Sequence, residues 1–367
     1  MQVAIRADAS VDTGIGHIMR TLVLANELDR RGADISFFCR RIPCYLADKI
    51  RKEGHQVFML GGGSDANIDA VSLLEFPWLG VSQEQDALDF ESKLDQASWD
   101  WLIVDHYGLD RSWESLVDNC FQRSLVIDDL ANRNHQCDFL LDQTYAREPA
   151  MYAHLVQPDT VIFVGANYAL LRDEFRAMRD KSLRSRGCRD LQRILIMMGG
   201  TDPGNIAGLV LANLAKIKDC KFEFVQLVVG SQSPKLADLK MQLPSLPFET
   251  ELLIDTDNVA DLLYRADLVI GAAGSSAWER CCLGVPSLIV EVAENQKQIA
   301  LSLHSVGAAF NMGSIDDENF SIKMIEKCSE LFHDPAMLKA MSDKAAEITR
   351  GDGAKQIANA MMRYSTI

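Results

Sequence analysis

Short apolar runs alternate with amphipathic stretches from the first residues onward. In the first half, residues 2–7, 34–39, 56–60, 101–105, 124–127 and 138–141 are rich in Val, Ile, Leu and Phe without polar alternation. Such runs predict strands covered on both faces. Helical spacing falls between them, at 18–31, 45–53, 84–96 and 111–119, which predicts successive βα units and a parallel sheet. The rhythm restarts at Arg193 with RILIMMGG. It continues through helix 205–216, strand 222–229, a short helix near 234–241, strand 250–254, helix 259–266, strand 267–270, helix 275–283 and strand 286–290. Three helical stretches, 319–332, 335–350 and 353–364, close the chain.

The fold class expected is therefore α/β with two doubly wound domains facing a cleft. Residues 1–170 form the first domain and 193–350 the second, joined by a polar, basic linker over 171–192, with a terminal helix in 351–367 free to cross back. A chain of 367 residues is long enough for two such cores. In sheets of this kind ligands bind beyond the carboxyl ends of the strands, so the loops after the strands are where chemistry is expected.

Composition narrows the ligand. A formal charge of −15 argues against nucleic acid and anionic membrane surfaces as partners, but leaves room for a small anion held by backbone amides. The nine cysteines show no CxxC spacing, and no run reaches the roughly 18 apolar residues of a membrane span. The opening MQVAIRADA is strand-like, not a leader, and a cytoplasmic protein is expected. Oligomeric state is not readable from the chain.

The first loop, ADASVDTGIGHIMR, carries Gly14, Ile15 and Gly16 just before a helix, then His17 and Arg20. The glycines permit a tight turn and close backbone approach, and the helix start offers unpaired N–H groups. Met19 occupies the third glycine position of a dinucleotide fingerprint, and no GxxxxGK[ST] loop occurs, so neither NAD nor a P-loop nucleotide is supported. The positive helix end disfavours the imidazolium of His17, which suits a general base; a histidine that only caps or packs the loop reads the same way. The loop after the fourth strand brings Asp105, His106 and Tyr107 together as acceptors and donors for a polyhydroxylated ligand, with Asp105 expected to touch it, followed by Asp110 as a helix cap. Asp128 and Asp129 form an acidic pair with structural and functional readings of equal weight.

In the second half, MGGTDP places Gly200 and Thr201 at a strand-to-helix turn, and GAAGSSAWE places Gly274, Ser275, Ser276 and Glu279 at another. Small residues at helix starts let phosphate oxygens reach amides without a lysine. Glu279 suits ribose hydroxyls or simply the positive helix end, and Asn295 with Gln296 suits sugar hydroxyls or a cap. The DxD of Asp255 and Asp257 precedes a helix and reads as capping at least as well as a metal site. HExxH and GxSxG are missing, and neither a metal nor any other cofactor is expected.

Six segments together carry a resemblance: TGIGHIMR, VDHYGLD followed by WE, IDDLANR with CDFLLDQ, GANYALLRDEF, GGTDPGN and GAAGSSAWERCCLGVPSL. In this order, over residues 2–296, they resemble the UDP-2,4-diacetamido-2,4,6-trideoxy-β-L-altropyranose hydrolases of pseudaminic acid biosynthesis. Those enzymes are related to the lipid II N-acetylglucosaminyltransferase and its GT-B architecture of paired Rossmann-like domains. The resemblance implies a UDP-sugar as small-molecule substrate, water attack at the anomeric carbon with inversion, and His17 as general base. It also implies Tyr107 and Asn295 near the sugar, and Ser275, Ser276 and Glu279 toward diphosphate and ribose. A metal-independent GT-B glycosyltransferase and a non-catalytic UDP-sugar-binding protein are the alternatives, because fold by itself does not fix the reaction.

Overall fold

The computed structural model describes residues 1–10, 14–61, 78–94, 99–293 and 296–364. Contacts divide the chain into one unit of Met1–Leu170 with Gly353–Ile367 and a second of Leu171–Asp352.

In the first unit the strands are β1 (Gln2–Ala7), β2 (Asp34–Cys39), β3 (Gln56–Met59), β4 (Trp99–Asp105), β5 (Phe121–Ile127), β6 (Phe139–Asp142) and β7 (Val161–Val164). They form one sheet in the order β3-β2-β1-β4-β5-β6-β7, and every pairing is parallel. Side chains alternate between its faces. Val3, Ile5, Trp101, Ile103, Leu125 and Leu141 pack with helices α1 (Gly16–Asp29) and α2 (Cys44–Lys52), whereas Ala4, Leu102, Val104, Val126 and Leu140 pack under α3 (Gln83–Glu91) and α4 (Arg111–Val117). Burial on both faces is why these strands read as unbroken apolar runs.

The second unit repeats the plan with β8 (Arg193–Met197), β9 (Phe224–Val229), β10 (Glu249–Ile254), β11 (Leu268–Ala272), β12 (Ser287–Glu291) and β13 (Phe310–Ser314), ordered β10-β9-β8-β11-β12-β13 and again parallel. Its helices are α5 (Asp173–Ser185), α6 (Ile206–Leu214), α7 (Leu236–Gln242), α8 (Val259–Arg265), α9 (Ser276–Cys282), α10 (Lys297–Ser305), α11 (Phe320–His333) and α12 (Pro335–Ile348). Helix α13 (Gly353–Tyr364) follows and buries Ile357, Ala358 and Met361 in the first unit's core.

Four elements go beyond the sequence expectation. Strands β7 and β13 and helix α10 fall where no element is expected; β7 has four residues and β13 holds Asn311 and Gly313, too short or too polar to stand out. The stretch expected as a linker, 171–192, carries α5 and is grouped with the second unit. Two of its arginines bond across to neighbouring helices. Arg179 donates to the carbonyls of Cys282, Ala346 and Thr349, and Arg186 to those of Leu263, Ala266 and Leu283, all at or near the ends of α8, α9 and α12. Cations there meet the negative ends of helices and their unpaired carbonyls.

In each sheet the strand order reverses once, between β1 and β4 and between β8 and β11. The loops leaving those four strands hold nearly all the candidate residues, which is the position where doubly wound sheets bind ligands.

Candidate functional site

The chain leaves β1 through Asp8, whose carboxylate takes a 2.6 Å hydrogen bond from the buried Arg6 and others from the backbone N–H of Arg40 and Arg41. This fixes the start of the loop. At Gly14 the backbone turns with φ +71° and its N–H bonds the carbonyl of Ser10. A side chain at that φ is strained, which accounts for the glycine. Gly16 opens α1, Ile15 is its N-cap, and His17 therefore lies in the first turn.

His17 is 5% exposed, and its partners are polar. Nδ1 lies 2.5 Å from Oδ1 of Asp105, at the end of β4. Arg20, one helical turn further on, clamps the same carboxylate, with Nε 2.6 Å from Oδ2 and one terminal nitrogen 2.7 Å from Oδ1. Its other terminal nitrogen bonds Asp129 at 2.9 Å. The Tyr107 ring stands edge-on to the imidazole, centroids 4.5 Å apart, and its hydroxyl lies 3.4 Å from Asp129.

This geometry selects a tautomer. The carboxylate is an acceptor only, so Nδ1 carries a hydrogen, and in the neutral ring Nε2 holds the lone pair. No group among the described residues bonds Nε2. Burial alone pushes the Asp105 carboxyl up, but Arg20 and His17 outweigh it and hold the group well below the usual carboxylate range. The result is a fixed anion behind an imidazole whose other nitrogen has no partner among the described residues.

The structure bears on two readings in this unit. Asp105, expected to touch the ligand, has no exposed surface and has both oxygens engaged by His17 and Arg20. Asp128 and Asp129 do not act as a pair. Asp128 is buried against Arg133 and Tyr152, while Asp129 joins the Arg20 and Tyr107 cluster.

In the second unit the two glycine-rich turns differ. After β8, Gly199 turns with φ +99°, and Gly200 and Thr201 remain accessible. The first amides of α6 are already taken, because Asp202 accepts from Ile206 and Ala207, each at 2.9 Å. A capping carboxylate there repels a phosphate, which weighs against Gly200 and Thr201 leading an anion onto that helix. After β11 the situation is the reverse. No side chain caps α9, Ser275 at its N-cap is exposed, and Gly274 and Ser276 are partly exposed. Gln296 closes the loop by accepting from the N–H of Ala273 at 3.1 Å, and the buried Arg280 braces it through the Ala272 carbonyl and the Ser276 hydroxyl. Glu279 is partly buried, and burial raises its carboxyl to about 7 against the pull of Arg172 and Arg280. Asn295 lies outside the described residues.

The Asp255 to Asp257 segment serves the backbone. Asp255 accepts from Ser231 and Thr256 caps Asn258. Among the described residues, Asp219, Cys220 and His333 are the one set of metal-type donors grouped within 4.8 Å, and two of the three are exposed. No helix of the described residues is long and apolar enough to cross a membrane.

Residues 194–357 match the glycosyltransferase family 28 C-terminal domain. The spore coat polysaccharide biosynthesis protein SpsG of Bacillus subtilis (strain 168) is 32% identical over 158 residues, which is 43% of this chain and 45% of that protein, so the match spans less than half its length. The UDP-2,4-diacetamido-2,4,6-trideoxy-beta-L-altropyranose hydrolase of Campylobacter jejuni subsp. jejuni serotype O:2 is 26% identical over 307 residues, covering 84% of this chain and 97% of that enzyme. Among solved structures, Acinetobacter baumannii MurG superposes with a TM-score of 0.67 at 14% identity over 99% of both chains. The chain thus has the two-domain α/β fold of GT-B glycosyltransferases, and over most of its length it is similar in sequence to the UDP-diacetamido-trideoxy-altropyranose hydrolase.

Proposed function

We propose that this protein is a cytoplasmic, metal-independent hydrolase of a UDP-linked diacetamido-trideoxy sugar, belonging to pseudaminic acid biosynthesis. The observation that carries the reading is the imidazole of His17, anchored through Nδ1 on buried Asp105 with Nε2 unengaged among the described residues. Similarity to the Campylobacter enzyme along 84% of the chain supplies the substrate class.

The chemistry follows from those groups. Nε2 takes a proton from water as the water oxygen forms a bond to the anomeric carbon. The bond from that carbon to the β-phosphate oxygen breaks, and its electron pair leaves with UDP. A single displacement of this kind inverts the anomeric centre. Asp105 stabilises the imidazolium that forms, and Arg20 keeps Asp105 ionised and in place. Loop amides and hydroxyls at Gly274, Ser275 and Ser276 are suited to the diphosphate, and Glu279 to the ribose, since fixed dipoles stabilise charge where it develops.

Incubating the enzyme with the UDP-diacetamido sugar and no acceptor, followed by NMR, tests the reading: free sugar of inverted configuration and UDP are expected. His17→Leu should lower kcat by about 10²- to 10⁴-fold while leaving UDP affinity unchanged. Asp105→Asn should lose activity in the same direction, because its amide no longer sets the tautomer. A second reading, transfer of the sugar to an acceptor, is favoured by the family 28 domain match at residues 194–357. Product formation only when an acceptor is added would establish it in place of hydrolysis.

A further inference from the structure

Four of the five tryptophans are buried; Trp78 is 41% exposed. Its ring stands edge-on to Tyr107 with centroids 5.7 Å apart, and Tyr107 in turn stands edge-on to His17 at 4.5 Å. One ring therefore separates an exposed indole from the proposed base. The backbone at Trp78 has φ +74°, a conformation that bulky side chains avoid and that persists only where the surroundings impose it.

The surroundings do impose it. Leu79 is buried in the core with Leu109 and Trp113, and it presses on the loop after β4 so closely that a Cβ on Gly108 would lie 3.2 Å from its own Cβ. Gly80 turns back with φ +79°. Gln83 then accepts from the backbone N–H of Asp110 and Trp113 at the start of α4. The segment is thus bonded to the same loop that carries Tyr107, and Trp78 is held at a set place beside it.

An exposed indole fixed near a reacting centre offers a flat apolar face with low conformational freedom, which matches the C–H face of a pyranose. A deoxy sugar with N-acetyl methyls presents more such surface than a fully hydroxylated one. We propose that Trp78 is a specificity-determining residue, the platform on which the sugar ring of the nucleotide-sugar rests beside His17. The proposal rests on the UDP-sugar reading above and adds a residue to it.

The test titrates wild type, Trp78→Ala and Trp78→Phe with UDP and with the UDP-diacetamido sugar, recording tryptophan emission and steady-state kinetics. Wild-type emission should shift on adding the UDP-sugar and not on adding UDP, and Trp78→Phe should lose that shift. Trp78→Ala should raise KM about tenfold or more with kcat within about threefold and UDP inhibition unaltered, and Trp78→Phe, which keeps a ring face, should recover most of that loss. Unaltered UDP inhibition doubles as evidence that each variant is folded. An unchanged KM in Trp78→Ala overturns the platform while leaving hydrolysis intact. A sugar-dependent emission shift without any release of free sugar by wild type overturns the hydrolase reading and leaves the platform standing. If neither signal appears, both fall.

Discussion

At the scale of single residues, the same chemical group does different work according to its burial. Asp105 and Glu279 are both carboxylates near loop ends, yet Arg20 and His17 hold the first ionised, and burial raises the second to about 7. The consequence for stability has a definite sign. Below the ordinary glutamate value of 4.5 both folded and unfolded chains keep the Glu279 proton, and the group is neutral to stability. Between 4.5 and about 7 the unfolded chain gives it up first, so stability declines with rising pH and levels off above 7. Glu279→Gln should therefore resist urea better than wild type at pH 8, by on the order of 1–3 kcal/mol, and match it at pH 4. Equal midpoints at pH 8 would mean that the carboxylate is already compensated there. The chain placed His17, Arg20 and Tyr107 in legible motifs, and the three-residue spacing of His17 and Arg20 put both on one helix face. Their shared anchor on Asp105 was not legible, because it joins residues about 90 positions apart.

Secondary-structure elements show how a helix start is claimed. Two turns with similar glycine-rich sequences follow β8 and β11, and they look interchangeable until the side chains are placed. Asp202 fills the amides of α6, whereas α9 begins without a side-chain cap. Asp202→Ala should remove both cap bonds and destabilise the protein by about 1–2 kcal/mol in chemical denaturation. Asp202→Asn keeps an acceptor and tolerates the φ of +38° at this position, so it should lose less than half as much. If the alanine variant is as stable as wild type, the carboxylate is not the cap. Strand positions were read closely from the apolar runs, since a strand covered on both faces leaves an unbroken hydrophobic signature. Strands β7 and β13, at the ends of their sheets, left weaker ones.

For the whole molecule, the assignment of segments to cores matters more than their order in the chain. Helix α13 follows the second unit in sequence and buries Ala354, Ile357, Ala358 and Met361 in the core of the first. Each large apolar side chain of that kind is worth roughly 1.5–3 kcal/mol, against a total stability of about 5–15 kcal/mol. Truncation after Asp352 should therefore unfold or loosen the first unit and spare the second. Hydrogen exchange would show it: protection lost over β1 and α1 and retained over β8 and β11. Uniform loss across both sheets, or none, contradicts that division.

The sequence alone determined the two parallel sheets and the loops that carry the candidate residues, because periodicity and glycine placement act over a few neighbours. Tertiary structure alone decided that Asp105 faces His17, that Asp202 occupies one helix start while the other has no side-chain cap, that Arg179 and Arg186 serve helix ends, and that Trp78 stands beside Tyr107. These pairings join residues distant in the chain, and the free energy that selects them, burial balanced against paired charge, exists only once the sheets have brought them together.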